Sequence, residues 1–185
     1  MPMSALALPH PPLRDGVVAL RGFEPADVPA VVAACQDPEI PRWTLVPRPY
    51  GEDDARAYMR HMEAGRAAGT RLSLAVVADA ADSGVLLGSI ALNPIDRELR
   101  AADVGYWIAA PARGRGYATR AVVLLTGWAF GALGLERLEL RAQAANHASQ
   151  AVAARAGFTP VPGPLIRRPE CDHLPDVFFA RLRSG

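Results

Sequence analysis

Residues 111–121 read "PARGRGYATRA". Gly114, Gly116, Arg113, Arg115 and Arg120 stand here between an apolar run, "VGYWIAA" (104–110), and a helical pattern with Ala118, Ala121, Val122, Leu125, Ala129 and Leu133 on one stripe. The start of a helix leaves N–H groups unpaired and carries about half a positive charge, a combination that attracts phosphate. Glycine lets the backbone come close to an anion with no side chain in the way. The stretch therefore reads as a cradle for a pyrophosphate. It reads equally as a tight strand-to-helix turn with solvated arginines. A Walker loop is excluded, because no Gly-Lys-Ser/Thr follows, and a dinucleotide fingerprint would need glycine where Thr119 stands.

Upstream, "RLSLAVVAD" (71–79), "SGVLLGSIALN" (83–93) and "AADVGYWIAA" (101–110) are strands of an antiparallel meander, parted by turn residues at Asp82 to Gly84 and by a polar stretch at 96–100. Downstream, Gly134 closes the helix and "RLELRA" (137–142) alternates as a strand. Strand, helix and strand in succession require a crossover, so the strands near 106 and 139 are parallel. A helix from His147 to Ala156 ends at Gly157 with Phe158 as its latch, and strands near 159–166 and 176–182 complete the sheet. At the other end, 1–13 reads as a flexible tail, 16–23 as a strand, and "EPADVPAVVAACQ" (24–36) as a helix. The four prolines of 37–50 make that segment a loop, and 52–69 is a second helix with Ala55, Tyr58, Met59 and Met62 on one face. With no repeat or linker, 14–185 is a single domain.

The chain has 185 residues, 50% of them hydrophobic, and 20 basic against 19 acidic residues give a net charge of +1. This excludes a general nucleic-acid binder, which needs a broad basic face. The only cysteines, Cys35 and Cys171, form no CxxC pair, and Cys171 with His173 supplies too few ligands for zinc, so no metal is expected. Neither a signal peptide nor a run of about 18 apolar residues is present, which points to a cytoplasmic protein with no membrane partner.

Arg113-Gly-Arg-Gly116-Tyr-Ala118 resembles the Arg/Gln-x-x-Gly-x-Gly/Ala acyl-CoA signature of the GCN5-related N-acetyltransferases (GNAT). The surrounding 103–158, together with "VALRGFEPADVPAV", "DPEIPRWT" and "RRPECDHLPDVFFARL", is similar to the branch containing the ribosomal-protein N-terminal (Rim-type) enzymes, and the likeness covers nearly all of 14–183. The resemblance implies an α/β (α+β) fold. Its mixed sheet has about seven strands, of which the fourth carries a bulge and splays from the fifth, here 104–109 and 137–142, and about four helices flank it.

It also implies acetyl-CoA as cosubstrate and an amine as acceptor. Arg113, Gly114, Arg115, Gly116, Tyr117, Ala118 and Thr119 would hold the pyrophosphate. Trp107, Ile108 and Ala109 would bond pantetheine through their backbone, and an N–H there would steady the thioester oxygen. Asn146 and Ser149 match polar positions used around pantetheine and sulfur, though Asn146 as an N-cap bonding the amide of Ser149 reads as well. Many family members have a tyrosine seven residues after that asparagine to protonate the departing thiolate; this chain has Ala153. Ser149 is then the candidate stabiliser of the thiolate. Asp103 and Glu39 are candidate general bases, each with a solvated carboxylate as the plainer reading. Trp43 and Tyr50 would line the acceptor pocket, and Trp128 is read as core. A non-catalytic acyl-CoA sensor and a nucleotide enzyme are the alternatives, and either a monomer or a homodimer fits.

Overall fold

A computed structural model of the chain describes residues 5–79, 84–166 and 176–184. Eight strands form one sheet in the order β1-β2-β3-β4-β5-β6-β8-β7. They are β1 (Leu13–Arg14), β2 (Val18–Arg21), β3 (Leu72–Ala78), β4 (Leu86–Asp96), β5 (Ala101–Ile108), β6 (Arg137–Gln143), β7 (Thr159–Val161) and β8 (Asp176–Leu182). Five α-helices accompany them: α1 (Val28–Cys35), α2 (Glu39–Trp43), α3 (Glu52–Ala67), α4 (Tyr117–Ala132) and α5 (His147–Arg155). All strand pairs are antiparallel except β5 with β6, which the α4 crossover makes parallel.

β3 is buried almost end to end because helices cover both sides of the sheet. Strand register separates the two faces. Leu74, Ile90 and Tyr106 lie abreast on the face packed by α4 and α5, where Val122, Leu125 and Ala129 meet them in the main core. Ser73, Ala91 and Gly105 lie abreast on the other face. There Val28, Val31, Cys35, Ile40, Tyr50 and Ala55 form a second cluster that Leu86 and Trp107 join. Burial pushes the Cys35 thiol up to about 11, so it is an apolar filler, not a nucleophile.

The sheet opens where the sequence analysis places the splay. β5 and β6 pair from Ala101↔Arg137 to Val104↔Leu140 and no further. Beyond that point Gly105 to Ile108 pair only with β4, and Arg141 to Gln143 only with β8.

Four details differ from the sequence reading. The strand Leu13–Arg14 makes the sheet eight-stranded, where about seven strands were expected. Of the expected tail, the described part from residue 5 onward is held on the fold, since Leu6 is 4% exposed in the main core and its N–H donates to Arg66 O at 2.9 Å. The proline-rich 37–50 contains α2, the fifth helix, because Pro38 is its N-cap and Pro41 falls in the first turn, where no N–H is needed. The bulge lies on β4, not on β5. Leu92↔Val104 and Ile95↔Ala102 leave an extra residue at Asn93–Pro94, and proline, lacking a donor, is tolerated there. Cys171 and His173 lie outside the described residues.

Candidate active site

Gly114 (φ 75) and Gly116 (φ 79) are both left-handed, and Gly116 is the N-cap of α4 with no capping side chain. The first N–H to find a helical partner is that of Arg120, on Gly116 O. Among the described residues, the N–H groups of Gly116, Tyr117, Ala118 and Thr119 meet no acceptor. A Cβ placed on Gly114 or Gly116 would meet nothing within 4 Å, so the turn is open where a side chain would project. Unpaired donors at the positive end of a sixteen-residue helix are the arrangement that attracts an anion.

The three arginines around it are not equivalent. Arg113 donates through Nε to Ile108 O at 3.0 Å and pairs with Asp37 at 2.5 Å, tying the loop to the segment before α2. Arg120 pairs with Asp15 at 2.8 Å. Arg115 is exposed and has no partner among the described residues.

Beside the loop runs the gap between β5 and β6. Ala109 donates its N–H to Leu87 O at 2.9 Å. Antiparallel alternation turns the Trp107 N–H the same way, toward β4, and leaves the amides of Tyr106 and Ile108 facing the gap. Of the three backbone positions expected there, Ile108 is thus the one oriented into the opening. Tyr106, which sequence reasoning missed, is the other.

Across the gap the Tyr106 hydroxyl lies 2.9 Å from Ser149 Oγ. Burial pushes the Tyr106 phenol up to about 12, although its bond to Ser149 acts the other way. Ser149 sits in the first turn of α5, where its N–H donates to Asn146 Oδ1 at 3.0 Å. The capping of α5 by Asn146 is therefore present. Ala153 is fully buried in the main core.

The candidate bases fare differently from their plainer reading. Asp103 is no solvated carboxylate: it is 4% exposed, beside Glu139 in the β5–β6 register. The Glu139 carboxylate accepts the N–H groups of Leu165 (2.9 Å) and Ile166 (3.1 Å) and the Arg137 guanidinium (2.7 Å). It thereby holds the segment after β7 over this face, and Pro164 and Ile166 close the space around Asp103. Glu39 is accessible, but the Trp43 indole N–H at 2.9 Å and the Arg42 guanidinium at 3.0 Å hold its carboxyl below the usual range, which weakens it as a base. Trp43 is half-buried with the Arg42 guanidinium 4.5 Å above its ring. Tyr50 is 9% exposed within the second core cluster, so its ring does not line an open pocket. Trp128 is half-buried against the main core. A groove of about 670 Å³ between the N-terminal segment and α3, lined by Leu8, Phe23, Met59 and Met62, shares no residue with the phosphate loop.

No grouping of three or more His, Cys, Asp or Glu side chains among the described residues has a metal-binding arrangement, and none of the described helices is long and apolar enough to cross a membrane.

Residues 18–159 match the family described as Acetyltransferase (GNAT) domain. The Bacillus subtilis protein YdaF, named as a ribosomal N-acetyltransferase, is 41% identical over 75 residues, which are 40% of this chain and 41% of YdaF; the chain thus spans about two fifths of that relative's length. Mycobacterium smegmatis RimJ, solved in complex with CoA-disulfide, superposes with a TM-score of 0.75 at 25% identity, over 90% of this chain and 82% of RimJ. An acetyltransferase from Agrobacterium tumefaciens superposes with a TM-score of 0.73 at 27% identity, over 97% of this chain and 99% of the other.

Proposed function

This chain belongs to the GNAT acetyltransferase domain family, and from that premise we propose that it moves an acetyl group from acetyl-CoA directly to a primary amine, with no covalent enzyme intermediate. One observation carries the reading: unpaired amides of the left-handed Gly114–Gly116 turn stand at the start of α4, next to the opening between β5 and β6. The fit is that of a long carrier. Its diphosphate rests on the amides of Gly116 to Thr119 with Arg115 alongside. Its pantetheine arm runs into the gap against the backbone of Tyr106 and Ile108. The thioester oxygen takes a main-chain N–H of β5 as it becomes negative. Asn146 orders the first turn of α5, and Ser149 brings its hydroxyl to the sulfur.

The acceptor is an N-terminal α-amine in our reading. Attack requires a neutral nitrogen. An α-amine of pKa about 8 is partly neutral at physiological pH, whereas a lysine of about 10.4 needs a base to strip it. Asp103 is enclosed and Glu39 is held low, so neither serves as a strong base. The names of YdaF and RimJ's complex with a CoA derivative agree with this choice of reaction. A cytoplasmic setting suits it.

The test is a mass-spectrometric screen of acetyl-CoA with peptides bearing free N-termini, peptides bearing only lysine amines, and small polyamines or aminoglycosides. The chain itself contains no lysine, so it adds no side-chain amine to the products. Acetylated α-amines are expected, at a rate that rises with pH through about 8 as the acceptor loses its proton. Acetyl-CoA binding without any acetylated product would favour the sensor reading, which the replacement of the family tyrosine by Ala153 motivates. Displacement of CoA by ATP would favour the nucleotide enzyme.

The arginines make a separate prediction. Arg115→Ala should raise the Kd for acetyl-CoA about fivefold, the size of one exposed charge pair of about 1 kcal/mol, while Arg120→Ala, already engaged by Asp15, should change it less than twofold. Calorimetric titration of both variants decides it.

A further inference from the structure

We infer that Tyr106 is a positioning residue for thiolate departure: by donating its hydroxyl to Ser149 Oγ, it aims the Ser149 hydroxyl proton at the sulfur of coenzyme A. The inference rests on the acetyltransfer reading above. It supplies what the chain lacks at Ala153, where a side chain reaching from α5 is absent.

The geometry sets the assignment. Tyr106 belongs to β5 just past Val104, the last residue paired with β6, so it borders the opening through which the carrier must pass. Ser149 is on the helix that follows β6. Their hydroxyls meet at 2.9 Å, on the face of the sheet shared by α4 and α5. A hydroxyl has one proton and accepts others. Should Ser149 donate to Tyr106, its proton would be occupied. When Tyr106 donates instead, the Ser149 proton is free. Burial keeps the phenol protonated until about pH 12, so this donor is present throughout the working range.

The chemistry balances without any acid beyond water. The neutral amine attacks the thioester carbonyl, a C–N bond forms, and the carbonyl oxygen takes the electron pair. The nitrogen gives its proton to solvent. The pair on the oxyanion then re-forms the C=O bond as the C–S bond breaks, and sulfur leaves with its own pair as a thiolate. A serine hydroxyl is a weaker acid than a thiol of pKa about 8.5, and so is a phenol near 12, so neither surrenders its proton; Ser149 stabilises the thiolate by hydrogen bonding and the thiolate is later protonated by water. Tyr106 thus differs in kind from a general acid, and no rate inflection should trace to its titration below about pH 12.

The test compares wild type, Tyr106→Phe, Ser149→Ala, Ser149→Thr and the Tyr106→Phe/Ser149→Ala double variant on acetyl-CoA and a peptide with a free N-terminus, reading kcat, KM for acetyl-CoA and Tm. Ser149→Ala should lower kcat at least about tenfold, the worth of a hydrogen bond to a charged group, and Tyr106→Phe by about three- to tenfold, the worth of one between neutral groups, each with KM within about twofold. The double variant should be no slower than Ser149→Ala, because Tyr106 acts only through that hydroxyl. Ser149→Thr should recover most of what Ser149→Ala loses, and it keeps the test open should Tyr106→Phe fold poorly. Wild-type kcat in Tyr106→Phe overturns the inference. So does a Tyr106→Phe loss that persists undiminished in the Ser149→Ala background, since the phenol would then reach sulfur itself. A wild-type protein that acetylates no amine in the screen removes both the inference and the reading beneath it.

Discussion

Gly116→Val is expected to raise the Kd for acetyl-CoA at least about tenfold, and also to lower Tm. The two effects have separate causes. At φ 79 the N-cap of α4 is left-handed, where an L residue costs about 1–2 kcal/mol and a β-branched one more. For a chain of this size that is a Tm drop of roughly 2–8 °C. The binding loss comes from space. A Cβ at Gly116 would meet nothing within 4 Å, so the valine is expected to project into open space beside the α4 N-terminus, where the diphosphate is assigned, and to obstruct it. Two controls separate strain from obstruction. Gly134→Val imposes comparable strain at the other end of α4, at φ 65, and should lower Tm while leaving the Kd near its wild-type value. Gly116→Asn tolerates the left-handed region yet still projects a side chain, so it should weaken binding with little change in Tm. An unchanged Kd in Gly116→Val would count against the assigned phosphate loop.

That the left-handed turn and the helix start after it were readable in advance, while the Tyr106–Ser149 contact was not, has a physical reason. Gly114 and Gly116 announce a left-handed backbone locally, and the apolar stripe of α4 fixes where the helix begins; both signals lie within a few residues of the site. The crossover rule then makes β5 and β6 parallel and adjacent. What the chain does not announce is contact across long separations. Tyr106 and Ser149 are 43 positions apart. The alternation along "VGYWI" puts Tyr106 on the side of Val104, a usable hint, but only the β4 register and the seat of α5 bring it to Ser149. Glu139 alternates with Leu138 and Leu140 and so reads as an outward-facing carboxylate. It is 5% exposed because the aperiodic, proline-rich segment after β7 folds back to bond it, and the same cover encloses Asp103. The four prolines of 37–50 suggested a loop, yet two of them sit where the first turn of a helix needs no N–H, and Leu6 docks from the apolar run 5–8, which is too short to mark an element.

The integrity of the gap itself depends on Gly88, and Gly88→Ala is expected to be the most destabilising single-methyl change near the site. A Cβ at this position would lie 2.2 Å from Trp107 O, 2.9 Å from Ile108 Cδ1 and 3.1 Å from Ile108 Cα. The isoleucine tip can swing aside; the Trp107 carbonyl cannot, because it belongs to the strand opposite. β4 must therefore draw away from β5 at the Gly88↔Ile108 pair. Overpacking of this kind costs about 3 kcal/mol, a Tm fall of roughly 6–12 °C for a chain of this length. The damage falls at a particular place. Past Val104, β5 has lost β6 as a neighbour and is held on one side only, by β4, so a shift at Gly88 is passed directly to Trp107, Ile108 and Ala109. Thermal unfolding should show the loss of stability, and at a temperature where the variant is still folded the Kd for acetyl-CoA should be higher as well. Gly105→Ala is the matched control. It lies on β5 opposite Ala91 of β4, its Cβ meets nothing within 4 Å, and it should melt within about 2 °C of wild type, as surface changes of about 0.5 kcal/mol do. Equal melting temperatures for Gly88→Ala and Gly105→Ala would mean that β4 does not brace the open edge of β5, and the wedge would have to be held by something other than its one remaining strand.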